Sequence, residues 1–319
     1  MKITLFVLLF TLSLQAMQVA TVYREHGIKA VEKALDIELS KRQYWDTELK
    51  NFDTKFGYFE NLTSILTCDK DRSKLYKYTI NKDGKFHLSH TFNALTGKVN
   101  GDKQKEGDKK TPLGVYTLTK KISNPNPFYG PLAYVTSYPN LYDKYRGKNG
   151  SGIWIHGQPL EGERDKFTKG CIAIENEDIC TLDDNLSLQS SLLIIDQEHI
   201  KEAKKKNLST ILSELFAWRY AWLYNEYKKY ISFYDPSFIR FDGKDYKTFK
   251  RFKKRIFDYK DKKRILFSNI KVVPYPGEES NLYIIIFNEK YYSKRISFDG
   301  EKTLVVRLDS DSFKILSER

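Results

Sequence analysis

Apolar residues recur at three- and four-residue steps in HGIKAVEKALDIELSKRQYWDTELKNF, where Ile28, Val31, Leu35 and Leu39 share one helical face. That spacing predicts helix over residues 22–50, which could cover the next domain or pair with a second copy of the chain. From about Tyr58 the period changes. SILTCD, KLYKYTIN, KFHLSHTFNA, GVYTLTKKI and AYVTSYP are short β-prone runs between turn residues, and NKDGK (81–85) reads as a hairpin turn. The polar, Gly- and Lys-rich stretch 96–114 ends in Thr-Pro-Leu-Gly and predicts a surface loop able to border a site. GIWIHG is a further strand ending at His156, and SLLIIDQ (191–197) closes a mostly β domain.

Residues 201–209 then read as a linker, with Ser209 a helix cap. Residues 210–234 predict one long amphipathic helix rich in aromatics, and KDYKTFKRFKKRIFDY a second. Strands follow in RILFSNIKVV, NLYIIIFNEKYYS, KRISF and KTLVVRL. Helices ahead of an antiparallel meander predict an α+β domain whose helices pack on a curved sheet. The whole chain is expected to be α+β, divided into a leader (1–20), a helical segment (21–57), a mostly β domain (58–200) and the α+β domain (207–319).

The leader changes the picture of where this fold works. Lys2 precedes an apolar stretch from Ile3 to Leu14, and Ala16 and Ala20 offer small-residue cleavage points. This is signal-peptide architecture, too short to span a bilayer comfortably, with an uncleaved anchor as the alternative. Either way the folded part is expected outside the cytoplasm. The net charge of +13, clustered at 204–206 and 250–264, would suggest nucleic acid in a cytoplasmic protein. Export and the lack of a nucleic-acid motif argue against that partner. An acidic polymer or membrane surface stays open beside the plainer reading of solvated helix faces. Cys68, Cys171 and Cys180 are too few for a disulfide scaffold, and there is no CxxC or HExxH, so no metal and no cofactor are expected.

Cys171, in FTKGCIAIENEDI, could be a buried filler thiol, half of a disulfide, a ligand or a nucleophile. Catalysis would need a base for the thiol and donors for a tetrahedral oxyanion. His156 can serve as base, the Gly157 carbonyl can hold the imidazole tautomer, and amides around Gly170–Cys171 can face the oxyanion. Thr168 and Ile172 flank this segment as positioning candidates.

The pair has company. IHG, then TKGC led by Thr168, with KKTPLGVY upstream, resembles the signature of the YkuD-type L,D-transpeptidase domain over roughly residues 60–197. The resemblance implies peptidoglycan chemistry in the periplasm. Cys171 would attack the bond between the L-centre of meso-diaminopimelate and D-alanine in a stem tetrapeptide, forming a thioester. Two departures matter: many transpeptidases carry His and Arg where this chain has Lys169 and Ala173. Lys109, Lys110, Arg146 and Arg164 are then candidates for holding the substrate carboxylate, with Thr111 and Lys169 as further substrate-binding candidates. The aromatic-rich tail is similar to NTF2-like domains, and the full arrangement resembles the L,D-carboxypeptidases of helical epsilonproteobacteria, which help set cell shape. That resemblance implies water as acceptor. An L,D-transpeptidase and a non-catalytic wall-binding scaffold remain open, as do a homodimer through the N-terminal helices and shape-complex partners bound by the tail.

Overall fold

The computed structural model describes residues 18–319 apart from 82, 163–164, 199, 201, 278–280 and 311, so the leader lies almost wholly outside the described residues. Gly27, at φ 76°, separates a helical stretch over 18–26 from α1 (Ile28–Leu39), and Ser40–Lys41 divides α1 from α2 (Arg42–Glu48). The single predicted helix is therefore broken twice. Its partner is α5 (Lys205–Leu223) of the C-terminal domain. Trp45 stacks on Phe216 with ring centres 5.4 Å apart, and Arg219 donates to buried Asp36 at 2.7 Å. Of the predicted apolar face, Val31 is buried and Leu39 packs on this core, while Ile28 and Leu35 are exposed.

Eight strands form the first sheet: β2 (Ser64–Asp69), β3 (Lys74–Ile80), β4 (Phe86–Asn93), β5 (Gly114–Ser123), β6 (Leu132–Thr136), β7 (Trp154–His156), β8 (Ile172–Ala173) and β9 (Ser191–Asp196). Their order is β4-β3-β2-β9-β5-β6-β7-β8. β2 and β9 run parallel at the centre and are buried at every position, which explains the apolar run LLII in β9. One face carries Leu66, Cys68, Leu193 and Ile195 into a core closed by α4 (Asn176–Asp183) through Ile179 and Leu182. The other carries Ile65, Val115, Leu192 and Ile194 against the second sheet.

That second sheet is β1 (Tyr58–Phe59), β10 (Lys263–Pro274), β11 (Leu282–Ser293), β12 (Ser297–Asp309) and β13 (Ser312–Glu318), in that order. β1 precedes the first domain in sequence yet pairs with β10, so the β domain proper begins after it. Ile284 and Ile286 of β11 face the first domain, whereas Ile285 and Phe287 face α5, α6 (Tyr227–Ser232) and α7 (Tyr246–Asp258). The run LYIIIF is apolar throughout because both faces are covered.

Three sequence expectations need correction here. The long helix at 210–234 stops at Leu223, because Asn225 adopts φ 61° and the amides of Asn225 and Glu226 turn back to the carbonyls of Trp222 and Ala221. This left-handed cap closes α5, and α6 starts afresh. Ser209 is no cap: α5 begins at Lys205, and the Ser209 hydroxyl donates to the Lys205 carbonyl at 3.0 Å inside the helix. Only Ser297 and Phe298 of KRISF are strand, and they run without a break into KTLVVRL, since Gly300 pairs with Glu289 and does not interrupt β12.

Candidate active site

β7 and β8 are parallel neighbours with Ile155 opposite Ile172 and His156 opposite Ala173. Cys171, immediately before β8, lies across from Trp154, two residues before the histidine. Strand alternation therefore turns the Cys171 and His156 side chains toward the same face. Ile172 points the other way and is fully buried in the core, so it supports the strand rather than facing the thiol. Strand register sets the two residues on one face of adjacent strands, although fourteen residues separate them in sequence.

The Cys171 segment is gripped from its second side by residues 95–98. Leu95 and Ala173 exchange backbone hydrogen bonds of 2.7 and 2.9 Å, and the Thr168 amide donates to the Thr96 carbonyl at 2.7 Å. Thr168, buried, closes the turn ahead of the cysteine: its hydroxyl accepts from the Gly170 amide at 3.0 Å and donates to the Cys171 carbonyl at 2.7 Å. The Gly170 amide is thereby committed to Thr168 and is not aimed at a reacting group. Glycine is required at 170, because φ is 137° and a Cβ would stand 2.8 Å from the Lys110 carbonyl.

His156 is fully buried. Its Nδ1 lies 2.6 Å from the Gly157 carbonyl. A carbonyl can only accept, so the proton sits on Nδ1, and Nε2 of the neutral ring carries the lone pair a base needs. Tyr129 packs edge-on against the imidazole with ring centres 5.0 Å apart. The Cys171 thiol is partly accessible and donates to the Gly152 carbonyl at 3.4 Å.

Tyr129 and Asn176 were not apparent from sequence. Asn176 Oδ1 accepts from the Gln158 amide at 2.8 Å and would stand 2.3 Å from a Cβ on Gly157. It thus fills the space behind the His156–Gly157 turn, and its signal was a lone Asn between a strand and a helix. The proposed substrate binders disperse. Thr111 is fully buried and accepts from the Gly97 amide at 2.8 Å, so it braces the loop. Lys109 and Lys169 are exposed. Lys110 and Arg146 instead line a cleft of about 600 Å³ between the two domains, together with Tyr142 and Tyr275. Arg164 lies outside the described residues. No disulfide joins the three cysteines, with Cys68 buried in β2 and Cys180 exposed on α4. Among the described residues no cluster of His, Cys, Asp and Glu could hold a metal ion.

Comparison with known proteins adds to this geometry. Residues 63–195 match the L,D-transpeptidase catalytic domain, YkuD, and residues 210–319 match the Cds6 C-terminal NTF2-like domain. The helical cell shape determining protein Pgp2 from Campylobacter jejuni superposes with a TM-score of 0.81 at 38% identity, covering 88% of this chain and 99% of Pgp2. Bd1075 of Bdellovibrio bacteriovorus gives a TM-score of 0.62 at 28% identity, covering 81% of this chain and 92% of its own. A candidate L,D-transpeptidase of Escherichia coli K12, YafK, is 33% identical over 79 residues, or 25% of this chain, and the match spans 29% of YafK.

Proposed function

We propose that this chain, which belongs to the YkuD-type L,D-transpeptidase family and carries an NTF2-like domain behind its catalytic domain, is a periplasmic peptidoglycan L,D-carboxypeptidase. The observation that carries the reading is the His156 ring, held by the Gly157 carbonyl 2.6 Å from Nδ1 on the same sheet face as Cys171. In this mechanism Nε2 takes the thiol proton as Sγ attacks the carbonyl carbon of the diaminopimelate L-centre. The Cys171 amide is the oxyanion donor of the Gly170–Cys171 pair, since Gly170 serves Thr168. The tetrahedral adduct collapses and breaks the C–N bond. His156 returns its proton to the departing D-alanine amine, leaving a thioester. Water, deprotonated by His156, then attacks that carbonyl, the C–S bond breaks, and a tripeptide carboxylate and the thiol are released.

Support for water as acceptor comes from position 173. Ala173 is fully buried between His156 and Leu95, and Lys169 is exposed, so neither supplies the His and Arg common among crosslinking relatives. Export rests on the apolar run at residues 3–14, and a contribution to helical cell shape on the likeness to Pgp2. The test is incubation of the purified protein with muropeptides. Tetrapeptide should become tripeptide plus D-alanine, and Cys171→Ala should abolish this. His156→Ala should slow acylation by at least ~10²-fold. New diaminopimelate–diaminopimelate dimers would favour transpeptidation, and intact tetrapeptide would exclude both activities.

A further inference from the structure

The positive charge of the chain is concentrated far from the thiol. Residues 244–264 hold eleven basic and three acidic residues, against a net +13 for all 319. α7 buries Phe249 and Phe257 and turns Lys250, Arg251, Lys254 and Arg255 to solvent. The cationic track continues through exposed Lys260, Lys262 and Arg264 to the β11–β12 hairpin with Lys290 and Lys294.

At this end of the second sheet apolar side chains are exposed as well. Tyr259, Leu266, Tyr292, Ile296 and Phe298 are each between 39% and 56% accessible, in a domain whose interior is otherwise closed. Leu266 and Tyr292 project from the outer face of the sheet, Phe298, opposite buried Tyr291, from the inner face, and Ile296 from the turn between the strands, so the apolar side chains ring the hairpin tip. Arg264 is opposite Tyr292 and Leu266 opposite Lys290, which puts all four on the outer sheet face. Arg295, in the hairpin turn, donates to both carboxylate oxygens of Asp261 at 2.7 and 2.8 Å and lies 4.2 Å from the Tyr259 ring centre. The loop after α7 and the hairpin tip are thereby locked together. The acidic residues nearby are already paired: Asp258 with Lys254, Asp261 with Arg295, and Asp299 with Lys290 at 3.4 Å.

We propose that this tip docks the protein peripherally on an anionic phospholipid bilayer. Cations interleaved with aromatic and aliphatic side chains match the two layers of such a surface, phosphates outside and acyl chains beneath. A hydrated polyanion would satisfy the lysines and arginines but leave Leu266, Ile296 and Phe298 in water. No described helix is long and apolar enough to cross a membrane, so the contact is superficial. The other end of β11, at Ile284, abuts the catalytic domain. Eight residue steps from Ile284 to Tyr292 amount to roughly 26 Å, so the tip lies about that far along the strand from the contact with the catalytic domain.

The test is sedimentation of the full chain with vesicles of phosphatidylglycerol and phosphatidylcholine, compared with phosphatidylcholine alone. Any contribution of the leader is common to every variant, and the comparison of lipids and variants removes it. Partitioning onto the anionic vesicles should exceed that onto the neutral ones at least ~10-fold and weaken as salt is raised. Lys262→Glu with Lys294→Glu, and separately Ile296→Asp, should each cut anionic binding at least ~10-fold with unchanged melting temperature. Equal binding to both lipids, or variants that bind like wild type, would overturn the proposal. So would a patch-dependent binding to insoluble peptidoglycan sacculi without binding to vesicles, because that would assign the tip to the wall polymer.

Discussion

Thr168 does more for the Cys171 turn than its place in the motif suggests, since one hydroxyl closes both the Gly170 amide and the Cys171 carbonyl. Thr168→Val keeps the shape and removes both bonds, leaving a buried amide without its acceptor, at a cost of about 1–3 kcal/mol. Turnover of muropeptide should fall roughly 10- to 100-fold, and Thr168→Ser should restore most of it. Equal activity of the Val and Ser variants would show that the hydroxyl does not position Cys171. Gly170→Ala should be worse, because its Cβ would press on the Lys110 carbonyl in a backbone region that side chains avoid. The thiols should also sort by environment. Burial pushes Cys68 up to about 12, whereas Cys180 is exposed. Iodoacetamide at pH 8 should label Cys180 in the native protein and spare Cys68, with mass spectrometry reading the sites. Native labelling of Cys68 would contradict its place in β2.

The segment between β4 and β5 depends on a lysine outside every motif. Lys70, 5% exposed, donates to the carbonyls of Gly101 at 2.6 Å and Thr111 at 3.0 Å. It ties the loop carrying Lys110, whose carbonyl abuts Gly170, to the end of the central strand β2. Burial lowers the Lys70 ammonium from 10.5 to about 8, while neighbouring Asp102 acts to raise it. Below about pH 8 the amine is protonated whether folded or unfolded, and the site adds no pH dependence. Between about 8 and 10.5 the unfolded chain holds the extra proton, so this site makes stability rise with pH. Denaturant unfolding should show the advantage of wild type over Lys70→Met growing across that window, by at most ~1.4 kcal/mol per pH unit. A constant difference from pH 7 to 10 would mean that Lys70 titrates normally.

Two domains share one continuous interface. Ile65, Val115, Leu192 and Ile194 of the first sheet meet Val273, Ile284, Ile286 and Val305 of the second, and β1 crosses to pair with β10. A polar latch borders this contact: Asn140 donates to Tyr275 at 3.0 Å, Tyr116 donates to Asp143 at 3.0 Å, and Lys148 bridges Asp143 and Asp102 at 2.9 and 2.6 Å. Asp102 accepts in turn from the Leu113 amide at 2.9 Å, so the latch reaches the loop whose Lys110 carbonyl abuts Gly170. Ile284→Ala should cost about 2–5 kcal/mol, the usual range for truncating a buried isoleucine. A single thermal transition is expected for wild type, and Ile284→Asp should split it in two. Two separate transitions in wild type would show that the domains fold independently of their contact.

The proposed Cys171–His156 pair was legible in sequence because the candidate chemistry is carried by few residue types in fixed local contexts, the IHG and TKGC segments. The α+β class was legible from the change between periods of 3.6 and 2. Both signals are local. The break after Leu223 was visible as Asn225 but lost within a strongly apolar helix pattern, and the burial of Ala173 depended on a strand from elsewhere in the chain. Tertiary structure alone decided that Tyr129 and Asn176 back the histidine, that Lys70 holds the loop, and that Lys110 and Arg146 face the interdomain cleft. Each rests on contacts between residues far apart in sequence, whose meeting is set by strand order and sheet packing, and periodicity carries no record of those.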